Sequence, residues 1–431
     1  MSRLNDHPLR YELSNELHAR PFPEMAGSGQ ALYLAITNPS GAAAARAQLI
    51  GLLDKFGAGH PTPDANHFHG QLGRNRIKWE LHSEFVTYTL FLDGVAEVPF
   101  SADFYQAFPE DWLASLDGEV MTSIQVRIER EKTVADVERR MDNEIRNWFV
   151  GESLAAAYVL DKNAVLAGDF RIDEAGHVRF AVIGIGDVGA RRIGRVVQRV
   201  LEIETYKQMA MMTLPVARNV FGELGVLEAE LSSISRAMTD KKANPDKTLD
   251  RLLEVSAEVE VLSASAAFRF SAGRAYRAIV DQRIKVLREE RILERQLFSE
   301  FMMRRFEPAM RTCEAAEERL QHLSERAARA AELLGTRVSV AGAEQNRQLL
   351  ESMNKRAALQ MRLQETVEGL SVVAVSYYAV NLLVYLLGPV VKYWVDDKTT
   401  LAGVLVLPVM GIVWLMVRRI KARVGAAFER H

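Results

Sequence analysis

The chain has a single cysteine, Cys313, among 431 residues. That excludes an intramolecular disulfide and any multi-cysteine zinc or iron–sulfur centre. It also lacks an excess of either charge: 54 basic side chains stand against 56 acidic ones, a net charge of -2. A chain this balanced is not drawn as a whole to nucleic acid or acidic substrates, so no nucleic-acid partner is expected. The opening "MSRLNDHPLRYELSNELHARPFPEM" has no apolar h-region. No secretory signal is expected there, and the N-terminus is expected in the cytoplasm. Catalytic signatures are missing too. There is no Ser-His-Asp elbow, Walker A loop, kinase set or His-Glu-x-x-His helix, and no enzymatic activity is expected.

What the chain does have is a long stretch without charge. No Asp, Glu, Lys, Arg or His occurs between Glu368 and Lys392. Residues 369–391 make 23 uncharged positions and residues 399–417 make 19; a hydrocarbon core needs about 20. Two transmembrane helices are therefore predicted. Lys355, Arg356 and Arg362 precede the first, Arg418, Arg419, Lys421 and Arg423 follow the second, and the loop 392–398 is balanced. The positive-inside rule then puts both termini in the cytoplasm. Tyr393 and Trp394 would anchor the outer interface.

Before this hairpin the chain reads as two further parts. Residues 1–190 hold strand candidates at 31–37, 77–82, 85–91, 120–128, 157–160 and 177–184, rich in β-branched and aromatic residues. Helices are predicted at 42–56 and 134–149, the second capped by Thr133. After about 190 the strand signals nearly stop. Helices are read at 191–212, ended by Pro215, at 223–238, and from Pro245 with Asn244 as cap. Leu252, Val255, Val259, Leu262 and Ala266 step by three and four, a coiled-coil seam. Pro308 marks a helix break, and "GTRVSVAG" (335–342) a turn. From about 344 to 391 no helix breaker intervenes, which gives a rod on the order of 70 Å.

The predicted organisation is an α/β cytoplasmic domain (1–190), a helical arm domain (191–343) and a stalk helix (344–368). Transmembrane helix 1 (369–391), an outer loop (392–398), transmembrane helix 2 (399–417) and a basic cytoplasmic tail (418–431) follow. The fold class is α+β, with long helical or coiled-coil arms and a C-terminal two-helix hairpin.

Candidate functional residues lie first on the predicted span one. At 100° per residue, Ser371, Ala374, Tyr378, Asn381, Tyr385 and Gly388 share one face, with Val372, Val380, Leu383 and Val384 opposite. An amide such as Asn381 is costly in lipid and should face protein or water. The stripe either packs on another helix or lines a pore in an oligomer. Asp396 and Asp397, in the outer loop, would gather cations at a pore mouth.

Three other motifs carry possible chemistry. "GIGDVG" (Gly184, Gly186, Gly189) matches G-x-G-x-x-G, but the second strand of a dinucleotide-binding unit does not follow. It reads as a flexible turn, and no bound nucleotide or other cofactor is expected. "HPTPDANHFHG" (60–70) brings His67 and His69 to one side of an extended segment, with Asp64 or Glu80 available to complete a metal site. Its composition otherwise reads as a surface loop. "NELHARPFP" (15–23) carries His18 and Arg20 before two prolines that enforce an extended path, and it reads as a docking segment pinning the N-terminus on the sheet.

"NELHARPFP", "RRIGRVVQRVLEIETYKQMAMMTLPVAR" and "AVSYYAVNLLVYLL" resemble a family of uncharacterised membrane-anchored proteins common in proteobacteria, over nearly the whole chain. The order of parts is similar to that of the CorA-type metal-ion transporters. That resemblance implies a homo-oligomer, a pentamer, whose first spans line a pathway for a divalent cation in the bacterial inner membrane. The family's Gly-Met-Asn signature is absent; Gly388-Pro389-Val390 stands there, so its ion selectivity is not implied. The expected function is a divergent CorA-like cation channel, transporter or sensor. The alternative is a non-conducting membrane-anchored scaffold or regulator with a cytoplasmic binding domain.

Overall fold

Strands whose side chains alternate between two faces, and helices apolar on one side, must be stacked in layers to hide both. The computed structural model describes residues 6–16, 23–101, 107–240, 243–391 and 398–428. It is mixed α and β: an N-terminal sheet, long helices, and two apolar helices at the C-terminal end. The chain contacts divide it into two units, Met1–Ala331 and Glu332–His431.

In chain order the first unit begins with α1 (Arg10–Glu16), β1 (Gly29–Thr37), α2 (Gly41–Lys55), β2 (His67–Leu72), β3 (Asn75–Leu81) and β4 (Phe85–Asp93). α3 (Glu110–Ala114), β5 (Val120–Glu131), α4 (Val134–Asn143), β6 (Ala155–Val159), β7 (Ala164–Ile172) and β8 (Val178–Ile185) follow. Then come α5 (Ala190–Met211), α6 (Thr213–Thr239), α7 (Pro245–Leu287), β9 (Glu290–Arg291) and α8 (Phe298–Arg305). α9 (Glu307–Val391) begins in this unit and ends in the second, where α10 (Lys398–Phe428) joins it.

The strands form a nine-stranded sheet in the order β2-β3-β4-β1-β5-β8-β7-β6-β9. All neighbours are antiparallel except β5 and β8, which run parallel. Alternation decides what each face meets. Leu32, Leu34 and Ile36 of β1, Ile77 and Trp79 of β3, and Val86, Tyr88 and Leu90 of β4 point into one core with Leu49, Leu52 and Leu53 of α2 and Trp112 of α3. A second core joins Val137 and Met141 of α4 to Tyr158, Val165, Ala181 and Ile183. The intervening residues of β1, β3 and β4 face the other way, where Tyr33 of β1 meets Thr205 of α5.

The caps behave as their chemistry requires. Thr133 accepts from the backbone N–H of Asp136, and Asn244 from those of Asp246 and Lys247, so each covers N–H groups its helix leaves unpaired. The seam residues Leu252, Val255, Val259, Leu262 and Ala266 are all buried, and α7 packs along α6.

Three expectations are corrected. "HFHGQL" (67–72) is strand β2, not surface loop; its partner β3 supplies the pairing its own composition does not advertise. β7, "AVLAGDFRI", had no counterpart among the predicted strands; its alanines and glycine dilute the strand signal, and burial between β6 and β8 stabilises it. The helix read at 191–212 ends at Met211, four residues before Pro215 as expected, and Pro215 itself lies in the first turn of α6, where its missing N–H costs nothing. The turn expected at 335–342 is helix, because α9 is continuous from Glu307 to Val391. Two isolated glycines, at about 1 kcal/mol each against alanine, do not outweigh strongly helical flanks. The boundary expected at residue 190 falls between β8 and α5, and α5 lies on the sheet.

At the sheet's end, Glu289 accepts from the backbone N–H of Phe298 (2.7 Å) and of Ser299 (3.1 Å) at the start of α8. Burial pushes its carboxyl up from 4.5 to about 7, against the pull of those two bonds and helped by the Glu300 charge. Between those values the folded chain holds a proton that the unfolded chain has released. Its contribution therefore favours the fold at the low end of this window and is lost as pH rises toward 7. Glu289→Gln is expected to flatten this part of the profile, read as a smaller drop in thermal midpoint between pH 5 and pH 8 than in the parent chain.

Candidate functional site

A cavity of about 230 Å³ lies between the sheet and α5, with α7 at its side. It follows from the alternation of "IKWELH". Ile77 and Trp79 enter the apolar core, so Lys78, Glu80 and His82 are sent to the opposite face, where they line the cavity with Thr89 of β4. From α5 come Gln198, Glu202 and Thr205, and from α7 Arg283.

Burial makes these polar groups pair. Lys78, only 6% exposed, lies 3.0 Å from a Glu80 carboxylate oxygen and donates to Gln198 Oε1 at 3.3 Å. Gln198 donates from Nε2 to Glu202 at 2.8 Å, and Arg283 Nε donates to the other Glu202 oxygen. Two cations and two carboxylates thus form one chain across the cavity wall. The Thr205 hydroxyl lies 2.8 Å from both Tyr33 Oη and the Leu201 carbonyl. Having one proton, it donates to the carbonyl and accepts from the phenol. Burial raises the Tyr33 phenol well above its ordinary value. His82 stacks on Phe85 at 4.3 Å, and Tyr206 stacks on Tyr276 at 5.6 Å. This wall is suited to a small polar molecule that offers both donors and acceptors. It is poorly suited to a bare cation, since Lys78 and Arg283 already neutralise its carboxylates.

The end of the "NELHARPFP" motif reaches this place. Pro23 lines the cavity, and its carbonyl sits against Gly194 of α5 so closely that any Cβ there would overlap it. Met25 donates from its N–H to the Ala190 carbonyl at 3.3 Å, while Arg130 and Arg76 hold the Met25 and Glu24 carbonyls. Residues 23–25 are thus pinned to α5 and the sheet. His18 and Arg20 lie outside the described residues.

The glycine turn is built in rather than open. Gly184 ends in β8, Gly186 takes φ +58, and its N–H donates to the Glu131 carbonyl at 2.8 Å. Arg130 donates to the Val188 carbonyl at 2.8 Å. His67 and His69 sit on β2, paired in register with Glu80 and Lys78. His67 Nδ1 is 2.7 Å from Asn66 Oδ1. Burial, then Arg76 and Lys78, lower the basicity of His69, and these cations would repel a metal as well. Among the described residues no group of three or more His, Cys, Asp or Glu side chains is placed to hold one.

In the second unit, α9 over its C-terminal part and α10 are long and apolar enough to cross a membrane. Val380 of α9 packs with Val409 and Val413 of α10, flanked by Val372, Ala379, Leu383 and Val384. Helix pairing therefore uses the apolar side. On the stripe side, Tyr378 is 68% and Tyr385 80% exposed, Ser371 is exposed and Asn381 half-buried. The stripe does not pack on α10. Gly388 continues the helix; Asp396, Asp397, Tyr393 and Trp394 lie outside the described residues.

Sequence reasoning missed the cavity residues Lys78, Gln198, Glu202 and Arg283, and named Glu80 only as a possible metal ligand. The signal was present in the alternation of 77–82, but which face α5 would cover was not. A family profile described as "Protein of unknown function (DUF3422)" matches residues 5–424. No curated protein and no solved structure matches the chain.

Gly194→Ala is expected to displace residues 23–25 from α5 and to destabilise the unit by about 1–3 kcal/mol, the usual cost of overpacking. Faster hydrogen exchange at the Met25 amide, together with a lower thermal midpoint, would report it.

Proposed function

We propose, for a chain that belongs to the DUF3422 family, an integral-membrane homo-oligomer in the bacterial inner membrane, with both termini and the sheet unit in the cytoplasm. In this reading copies of α9 surround an axis, and the stripe of Ser371, Tyr378, Asn381 and Tyr385 lines a path for a divalent cation. It is a divergent relative of the CorA-type transporters, working as a channel or as a sensor.

The carrying observation is the orientation of the hairpin. α9 spends its apolar side on α10, leaves Tyr378 and Tyr385 exposed and covers Asn381 only in part. An amide facing hydrocarbon costs several kcal/mol, and a ring of α9 helices removes that cost by giving the stripe partners or water. The preceding residues point the same way. Positions 341–367 are exposed on every side, Leu349, Met353, Met361 and Leu363 among them. Other copies of the helix are the natural cover for such side chains. The basic flanks Lys355, Arg356, Arg418 and Arg419 support the orientation.

One observation favours a second reading, a non-conducting membrane-anchored scaffold: Gly388-Pro389-Val390 stands where the transporter signature would be.

Reconstituted into liposomes, the protein is expected to form an oligomer, a pentamer if the CorA likeness holds, and to pass Mg²⁺ or Co²⁺. Asn381→Leu is expected to lower that flux by about tenfold or more, a barrier change of about 1.4 kcal/mol, with the oligomer intact. An intact oligomer that passes neither ion would favour the scaffold. A monomer in detergent would sink both the ring and the path.

A further inference from the structure

The sheet unit carries a second concavity, which shares no lining residue with the polar cavity, and its polar lining is cationic. Arg192, Arg195 and Arg199 fall on one face of α5, and Lys285 and Arg288 stand opposite on the last turn and cap of α7. The open cleft between them measures about 540 Å³, with Leu160 also in its lining. One carboxylate borders it. Asp161 lies 3.6 Å from Arg192 and 3.3 Å from Arg288. Five cations outnumber Asp161 and the Glu202 charge that also reaches Arg199.

The pairing of these cations is what sets the cleft apart. Elsewhere in this unit basic side chains are commonly matched, as Arg140 is by Glu129, Glu131 and Glu144. Here Arg195 and Lys285 have no hydrogen-bond or ion-pair partner among the described residues. Arg199 reaches only the Val286 carbonyl, at 3.4 Å. Burial, then Arg195, Arg283 and Arg288, lower the Arg199 guanidinium's affinity for its proton, against the pull of Glu202.

A simpler role would be to neutralise the carbonyl end of α7. That needs one nearby cation and contributes about 0.3–1 kcal/mol. Arg199 alone meets it, and Asp161 engages Arg192 and Arg288, which leaves Arg195 and Lys285 unexplained. The rim is also strained. Leu160, Asp161 and Lys162 have φ values of 55, 56 and 62, a left-handed run that glycine would take more cheaply. The Asn163 amide holds it by donating to the Leu160 and Asp161 carbonyls at 2.7 and 3.0 Å. The Leu160 carbonyl in turn accepts from Arg192 at 3.1 Å and helps aim that guanidinium.

We propose that this cleft between α5, the end of α7 and the β6–β7 turn is a binding site for a phosphate-bearing anion of about diphosphate size. Guanidinium forks match phosphate oxygens in pairs, and a multivalent anion relieves the mutual repulsion of four or five cations where a single carboxylate would not. The phosphate belongs either to a soluble metabolite or to an anionic lipid headgroup.

The test uses the full chain in phosphatidylcholine nanodiscs, titrated calorimetrically with sodium pyrophosphate and, separately, with dihexanoyl phosphatidate. Saturable pyrophosphate binding is expected, weakening as salt is added. R195E/K285E should lose about tenfold or more in affinity, while R195K/K285R and the distant R347E bind as the parent does. Neither Arg195 nor Lys285 has an internal partner, so the fold is expected to survive the double change. K285Q, at the exposed rim, gives a milder version of the same loss. Binding of the phosphatidate alone, with the same dependence on the variants, would assign the source to a lipid headgroup. Binding of neither titrant, or equal binding by R195E/K285E, would overturn the site.

Discussion

The sheet unit depends on the pairing of charges that strand alternation forces inward. Once Ile77 and Trp79 are committed to the apolar core, Lys78 and Glu80 have no choice but the face that α5 covers. An unpaired ion there would cost several kcal/mol. Glu80 answers Lys78 directly, and Gln198, Glu202 and Arg283 extend the chain of partners from two helices. The network thereby sets how α5 and α7 sit on β3, and it leaves a cavity because polar side chains that must meet head to head do not fill space as interleaved apolar ones do.

α5 is the element on which most of this converges. It begins at a glycine turn fixed by Arg130 and Glu131, carries Gly194 where the Pro23 carbonyl presses in, and presents Gln198, Glu202 and Thr205 to the sheet. On a different side it presents Arg192, Arg195 and Arg199 to the cationic cleft. One helix thus separates a charge-balanced cavity from a strongly unbalanced one. The first is satisfied by the protein itself, whereas the second is not.

Much of the secondary structure was legible because it rests on local chemistry. Thr133 and Asn244 cap where their side chains predict, and the step of three and four from Leu252 to Ala266 is buried as its period requires. Misses came where neighbours overrule composition. β2 and β7 are strands because β3, β6 and β8 pair with them, and residues 335–342 are helical because both flanks are. The candidate stripe on α9 was legible in composition. Its exposure was not, since that depends on which side meets α10. His67 and His69 were legible as a pair on one strand face; the cations Arg76 and Lys78, which with burial lower the basicity of His69, come from the next strand.

By itself the sequence determined the two apolar helices, the basic residues that flank them and the alternation of 77–82. These are properties of contiguous residues, whose hydropathy and charge act whatever the rest of the chain does. Only the tertiary structure decided that Lys78 and Glu80 would be buried against α5, that α9 would turn its apolar side to α10, and that five cations from two helices would share one cleft. Each joins residues far apart in the chain, and their partners are chosen by packing rather than by spacing.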